Sequence, residues 1–515
     1  MFKPLHLLIV AALVSLTTAC SVNPVTGKNE FSLVSAQDEV AIGAANYAPS
    51  QQSQGGRYYI DPNLQVYVAE IGRKLAAVSD RPGLPYEFVV LNNSVPNAWA
   101  MPGGKIAINR GLLIHLEDEA QLAAVLAHEI VHAAARHGAA QMTRGTLLSI
   151  GATALGAVGE NYGLGQAGTT VAQLGAAVWM ASYGREDELE SDAYGMDYMA
   201  RVGYDPYGAV QLQETFVQLN KNRSQDFISG LFASHPPSQE RVAANLEKAK
   251  TLPRGNTYKD RYQRAIRQLK RDEPAYVAEV AAIKALNAKD PKTALAELDK
   301  AVALQPGEGY FWELRGHAWK MQGNPANAEK SFSTAIQKNP DYFSHPLARG
   351  LLRYKEGDKP GAQADLLRSY QILPTPIASY HLGELALANN DEAVAIHYFQ
   401  GASNSNGELG EKARQKLSVL ELASNPGKYI LSKAFIDNTG YLNVAVKNTS
   451  AVAISNIRVQ VTEMQNAFLA GPSETFVFNQ SLNPGQQASF KTTIGPFKEA
   501  GAASQYRTAV VAVTQ

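Results

Sequence analysis

Residues 128 to 132 read His-Glu-Ile-Val-His. They lie in the stretch Asp118 to Arg136, whose Ala and Leu content predicts a helix, with Asp118 as N-cap, Gln121 three residues on, and Gly138 to end it. Side chains four apart on a helix stand one above the other, so His128 and His132 can hold one zinc ion between two imidazoles. Glu129 sits about 100° round the helix from His128 and can act as general base toward a water. The string alone recurs by chance. Its weight comes from its setting, a single Ala-rich helix in a chain that opens like an exported protein.

Two histidines and a base need a third ligand. A third His of the familiar downstream pattern would fall at position 138, with Gly at 135, but these are Gly138 and Ala135. His137 falls about 180° from His128 on an unbroken helix and is expected to face away. The acid run Arg185-Glu-Asp-Glu-Leu-Glu-Ser-Asp192 supplies carboxylates instead, within a second predicted helix from Gln173 to Arg201. Glu188 and Asp192 are four apart and share a face, which suits a ligand (Glu188) and a carboxylate that orients a histidine through its other ring nitrogen (Asp192). Glu186 is the alternative ligand, and Glu190 points to solvent on this reading.

What must position these groups is a large chain. At 515 residues it is too long for one core, and three or four domains are expected. Lys+Arg and Asp+Glu both count 47, with no block of like charge, which argues against nucleic acid as partner. Residues 1–19 read as a secretory leader: a short basic start, an apolar run from Leu5 to Leu16 too short to span a bilayer, then small residues. Ala19 before Cys20 is similar to a bacterial lipoprotein cleavage site, although Leu16 stands one residue further from the Cys than usual. Cys20 is the only cysteine, so it has no disulfide partner in the chain and is the expected lipid attachment point. Ser21 after it favours the outer membrane.

Residues 20–255 form the expected catalytic domain, α+β in class. A charged connector runs from Thr251 to Pro274. Residues 270–420 repeat: Pro306, Pro340 and Pro374 recur every 34 residues, the tetratricopeptide period, with Gly316, Ala328, Phe332 and Ala335 marking the middle unit. After Pro426 the period becomes two, as in Tyr441 to Lys447 and Ile457 to Thr462, and residues 425–515 read as a small β-sandwich. The stretch Gly145 to Gly168 reads as a glycine-rich loop that could serve as a lid.

The pair of motifs, His128-Glu-Ile-Val-His132 and Glu188-Leu-Glu-Ser-Asp192, resembles the peptidases that include the CAAX prenyl proteases and the HtpX proteases. Asn23-Pro-Val-Thr-Gly27 is similar to the start of that family's exported lipoproteins, and Asn97-Ala-Trp-Ala-Met-Pro-Gly-Gly104 to the strand beside its cleft. Ser234-His-Pro-Pro-Ser-Gln-Glu-Arg241 resembles its segment where a His and an Arg face the reaction centre. With the repeats, residues 20 to about 410 resemble the β-barrel assembly-enhancing type of the family. The C-terminal β domain and Ser191, where Ala is usual, are departures.

The resemblance implies a multidomain protein: a zincin-like (gluzincin) peptidase domain, an α-solenoid of repeats and the β-sandwich. It implies one Zn2+ per chain on His128, His132 and Glu188, with His235 and Arg241 as donors to the developing oxyanion. His235 could instead fill the fourth metal position in the resting enzyme. Asn97 and the strand Ile106, Ala107 and Ile108 are expected to flank the substrate, with Ile106 to Asn109 an edge strand to which polypeptide adds by backbone pairing. The implied function is a zinc endopeptidase for unfolded or misassembled periplasmic and outer-membrane proteins, anchored by lipid and facing the periplasm. A chaperone or adaptor working through the repeats is the alternative, and a β domain that docks a surface partner is a third reading.

Overall fold

A computed structural model describes residues 20–156, 183–221, 235–466 and 469–514. The expected leader, the second half of the expected lid and the first part of the second predicted helix lie outside the described residues, and the first half of that glycine-rich stretch is helical, not a loop. Two compact units divide between Tyr342 and Phe343.

The first unit opens with a short antiparallel hairpin, β1 (Cys20–Val22) and β2 (Asn29–Phe31). Helix α1 (Ala36–Ser53) follows a Ser35 cap, and α2 (Pro62–Ala76) starts from Asp61 with Pro at its first position. Leu64, Val68, Ile71 and Leu75, spaced at helical period, turn α2 into the core. Strands β3 (Glu87–Leu91), β4 (Ala98–Met101) and β5 (Lys105–Asn109) form a sheet in the order β3-β5-β4, with β5 parallel to β3 and antiparallel to β4. This corrects the expected edge strand. Ile106, Ala107 and Ile108 are buried in the central strand, and the open edge belongs to β4, which among the described residues pairs with β5 alone. The reason lies in the turn: Gly103 and Gly104, at φ 76° and 79°, fold the chain straight back. The uniformly buried β5 then takes the position covered on both sides.

Helix α3 (Arg110–Leu113) leads to α4 (Glu119–Ala134), buried along its whole length, and α5 (His137–Gly156). Asp118 caps α4 as expected, accepting from the Gln121 N–H at 3.0 Å. Helices α6 (Arg185–Arg201), α7 (Tyr207–Lys221) and α8 (Gln239–Lys250) complete the catalytic half. Gly195 of α6 lies so close to α4 that a Cβ there would stand 3.2 Å from the His128 backbone nitrogen. That absence of side chain lets the two acid- and histidine-bearing helices meet.

The charged connector is largely helical: α9 (Lys259–Ala265) and α10 (Arg267–Asn287, with Pro274 inside it) bury Tyr262, Ile266 and Leu269 in the same core. Apolar residues at the right spacing outweighed the connector's charge. Helical pairs then follow at the predicted period, α10 with α11 (Pro291–Leu304), and α12 (Gly309–Met321) with α13 (Pro325–Lys338). Tyr276, Ala282, Leu298, Phe311 and Leu314 from these helices belong to the core that holds α2 and α4. Arg110, at the end of β5, reaches into α10: its guanidinium donates to Glu279 at 3.0 Å and lies 3.3 Å from the centre of the Tyr276 ring.

The second unit continues with α14 (Ser344–Glu356), α15 (Lys359–Ile372), α16 (Pro376–Ala388), α17 (Glu392–Ser403) and α18 (Glu408–Leu420). The small-against-large rule recurs in both units. A Cβ on Gly316 would stand 2.3 Å from Phe332, one on Gly350 3.0 Å from Leu366, and one on Gly383 2.8 Å from Phe399. Strands β6 (Ile430–Ile436), β7 (Leu442–Asn448), β8 (Ser455–Met464), β9 (Ala470–Phe478), β10 (Gln487–Lys491) and β11 (Tyr506–Thr514) make two three-stranded antiparallel sheets, β10-β7-β6 and β11-β8-β9. Val444, Val446, Val459 and Val461 from both sheets share one apolar core.

Burial pushes the Glu279 carboxyl up to about 7, against the pull of Arg110 and with repulsion from Glu308. A carboxyl raised in the folded state binds its proton more tightly there than in the unfolded chain. Its contribution is therefore full at low pH and is lost as pH rises through about 7. In urea unfolding, Glu279→Gln is expected to gain stability relative to the parent chain between about pH 5 and about pH 8. A pH-independent difference refutes this.

Candidate metal centre

Helix α4 places His128 and His132 one turn apart, with Nε2 atoms 3.0 Å from each other. Glu188 enters from α6: its Oε1 is 3.3 Å from His132 Nε2, and its Oε2 is 3.5 Å from His128 Nε2. His235, just before α8, brings Nδ1 to 2.9 Å from Glu188 Oε1 and 3.3 Å from His128 Nε2. One ligand atom from each of these four residues fits within 4.8 Å of the others, and all four are buried. Glu129 lies alongside, its Oε1 3.5 Å from His235 Nε2 and its buried Oε2 without a hydrogen-bond partner among the described residues.

The ring orientations have causes. Asp192 takes the His128 Nδ1 proton at 2.9 Å, which leaves Nε2 for a metal. Asp192 is itself gripped by the Arg241 Nε and Nη2 at 2.7 Å each, and Arg241 Nη1 pairs with Glu188 at 2.6 Å. Burial disfavours a His128 imidazolium, yet Glu188 and Asp192 outweigh it and raise the group to about 10. Burial holds His132 far below the ordinary imidazole range. The acids thus draw positive charge to the point that the two Nε2 atoms and the Glu188 carboxylate face, and a divalent cation that displaces the His128 Nε2 proton meets two imidazole nitrogens and a carboxylate there.

The residues read from sequence converge, with exceptions. His128, Glu129, His132, Glu188, Asp192, His235 and Arg241 come together; Glu186 is exposed and outside the cluster. Asn97 sits just before β4, its carbonyl accepting from the Asn109 N–H at 2.8 Å. Cys20 begins β1 opposite Phe31. His137 does not face away. Helix α4 ends at Ala134 and Arg136 adopts φ 67°, so the chain turns before α5 and the wheel drawn through residue 138 does not apply. His137 Nδ1 stands 2.9 Å from His132 Nδ1, and its Nε2 stands 3.3 Å from Glu190 Oε1. Glu190, expected in solvent, is thereby engaged behind the site. Tyr183 was missed, since nothing in its local sequence marks it. Its ring stacks on His132 at 3.8 Å between centres, and its hydroxyl reaches the Ala100 carbonyl of β4 at 3.5 Å.

Because Asp192 orients His128, Asp192→Ala is expected to lower metal affinity about 10–100-fold in a chelator competition, with thermal unfolding still cooperative. Parent-like affinity in this variant removes Asp192 from the support.

Residues 62–249 match the model of peptidase family M48. The chain is 26% identical over 482 residues to the beta-barrel assembly-enhancing protease of Escherichia coli (strain K12), covering 83% of this chain and 94% of that one. It is 29% identical over 231 residues to the mitochondrial metalloendopeptidase OMA1 of Schizosaccharomyces pombe, covering 42% and 63%. Over 225 residues it is 27% identical to the metalloprotease YcaL of Escherichia coli (strain K12), covering 42% and 83%. The motif pair, the converging ligands and the buried base thus fall inside the matched segment, and the chain carries the catalytic domain of a peptidase family M48 metallopeptidase.

Proposed function

We propose that this chain is a zinc-dependent endopeptidase, with one zinc per chain on His128, His132 and Glu188, that cleaves unfolded or misassembled polypeptide in a bacterial envelope. The observation that carries the reading is the buried Glu129 beside the converged ligand atoms. Bound zinc supplies Lewis acidity, polarising the scissile carbonyl and making water acidic enough to ionise near neutral pH. Glu129 takes the water's proton and returns it to the leaving amine. Burial raises the Glu129 carboxyl above its ordinary value, which brings its basicity closer to working pH. Arg241, engaged by Asp192 and Glu188, serves to hold the ligand carboxylate of Glu188 and the Asp192 carboxylate that orients His128. His235 lies where the ligand atoms converge, so we read it as filling the fourth metal position at rest.

Substrate adds to β4. In its antiparallel pairing with β5, the Asn97 carbonyl bonds the Asn109 N–H, so by alternation the backbone groups of Ala98 and Ala100 face the open edge. Backbone pairing tolerates sequence and suits disordered chains. A cavity of about 30 Å³ lies beside His128 and Glu129, with Val125, Met196, Met199, Leu212 and Phe216 on one part of its wall and Ser191, Gln213 and Arg241 on another, and has room for only a small group next to the cleaved bond.

The envelope assignment draws on the relatives named as beta-barrel assembly-enhancing proteases, of which this chain covers 94% in the Escherichia coli case. On this reading residues 1–19 are a leader, Cys20 carries lipid on the periplasmic face of the outer membrane, and residues 20–255 are a zincin-like catalytic domain. Repeats over 270–420 bring substrate or dock assembly machinery, and the sandwich over 425–515 is an added module.

Zinc content and casein cleavage test the reading. Glu129→Gln is expected to keep its zinc and lose cleavage, and His235→Ala to cleave faster than the parent. Slower cleavage in His235→Ala makes this His a transition-state donor. A chain without zinc or cleavage in any form leaves the adaptor role instead. For β4, Ala100→Pro removes an edge N–H while sparing the ladder to β5, so casein cleavage should fall with zinc content unchanged. Unchanged cleavage places the substrate elsewhere.

A further inference from the structure

The two metal-binding histidines are steadied differently. His128 leans on Asp192 and Arg241, both within the helices of the site. His132 leans on a longer chain of hydrogen bonds. To offer Nε2 to a metal, His132 must carry its proton on Nδ1, and it donates that proton to His137 Nδ1 at 2.9 Å. His137 then carries its own proton on Nε2 and donates to Glu190 Oε1 at 3.3 Å. The same Glu190 oxygen accepts from Asn23 Nδ2 at 3.0 Å. The Asn23 amide can face only one way, because its Oδ1 accepts from the Val25 and Thr26 N–H groups at 2.9 and 3.2 Å. Every donor therefore meets an acceptor, from the hairpin turn to the metal ligand.

Asn23 is 1% exposed and stands three residues after Cys20. Its Nδ2 also donates to Glu30 Oε1 at 3.0 Å, so a single amide separates two carboxylates. The hairpin that carries it is fastened at the break between α4 and α5. Arg136 donates to Ser21 Oγ and to the Val34 carbonyl, and the Leu33 N–H donates to Thr143 Oγ1.

We infer that Asn23 is a positioning residue for metal ligand His132, acting through Glu190 and His137, so that the β1–β2 hairpin beside the chain's sole cysteine is a working part of the metal centre. Loss of the amide donor leaves Glu190 facing Glu30 and removes the bond that holds the Glu190 oxygen in place beneath His137. The inference rests on the metal-centre reading but not on proteolysis.

Zinc affinity of the full chain, by competition with a chromophoric chelator, and the visible spectrum of the Co2+-substituted protein test it. Asn23→Asp, the same shape with the donor turned to an acceptor, and Glu190→Leu are each expected to lower zinc affinity about 10–100-fold and shift the Co2+ bands. The reversed pair Asn23→Asp with Glu190→Gln should recover part of the affinity, because the introduced amide can donate to the introduced carboxylate and still accept from His137. Thr26→Ala, which loosens the same turn by removing the Thr26 hydroxyl's bond with the Lys28 N–H, should leave both readouts unchanged. Parent-like affinity in Asn23→Asp overturns the proposal, as does an equal loss in Thr26→Ala. If Asn23→Asp does not fold, Glu190→Leu decides by the same criteria. A parent chain that binds zinc but cleaves no casein overturns the peptidase reading and leaves this one intact.

Discussion

His128 Nε2, His132 Nε2 and the Glu188 carboxylate are held together in a place water barely reaches, the nitrogens 3.0 Å apart and one carboxylate oxygen within 3.5 Å of each. Such groups repel unless positive charge sits between them, and burial makes the repulsion stronger. The rest of the catalytic half reads as the means of enforcing that arrangement. Gly195 lets α6 close on α4; Asp118 fixes where α4 begins; Arg241 spans from α8 to two acids of α6. A donor set kept together against its own repulsion is preorganised, so little rearrangement is needed when a cation enters.

Local periodicity made much of this legible. His128 to His132 and Glu188 to Asp192 are both one helical turn apart, so spacing alone put each pair on one face. The 34-residue recurrence was legible because each helix crossing needs a small residue against a large one, and Gly316 with Phe332, Gly350 with Leu366 and Gly383 with Phe399 meet that need in turn. What sequence misjudged depended on a change of direction or a distant contact. The expected stop, Gly138, lies inside α5, while the chain breaks earlier at Arg136, and a wheel drawn across that break sent His137 the wrong way. The swap of β4 and β5 followed from reading the turn at Gly103 without knowing which arm meets β3. His235 and Arg241 were found by resemblance, because nothing local ties a residue before α8 to a histidine on α4. Asn23 and Glu190 are 167 residues apart, and neither alone suggests a role.

The charged connector is decided by spacing too. Residues 259–274 carry many Lys and Arg, yet Tyr262, Ile266 and Leu269 lie at core spacing and decide the outcome. Because α10 to α12 share the core of α2 and α4, the first repeats are part of the catalytic unit's stability. The buried Arg110–Glu279 pair at that seam adds little net stability, since both charges lose their water. Its geometry is demanding, however: Arg110 also donates to Asn92 and Ser94, which sit at the end of β3 and in the loop that leads to β4. It therefore ties the first repeat helix to the substrate-side sheet in one register.

The two supports behind the histidines end in different parts of the chain, and this has a mechanical consequence. The support of His128 closes on itself through Asp192 and Arg241, so disturbance elsewhere reaches it only by moving α6 or α8. The support of His132 leaves the helices and ends in a three-residue strand and a turn. A metal centre is only as ordered as its less constrained ligand. The turn at Asn23 compensates with an unusually complete set of bonds: the side-chain oxygen on two N–H groups, the side-chain nitrogen on two carboxylates, and the backbone N–H and carbonyl on Lys28 and Gly27. A short turn with no task beyond connection has no need of a fully satisfied, buried asparagine, and the density of bonding there follows from its being the far end of a ligand's support.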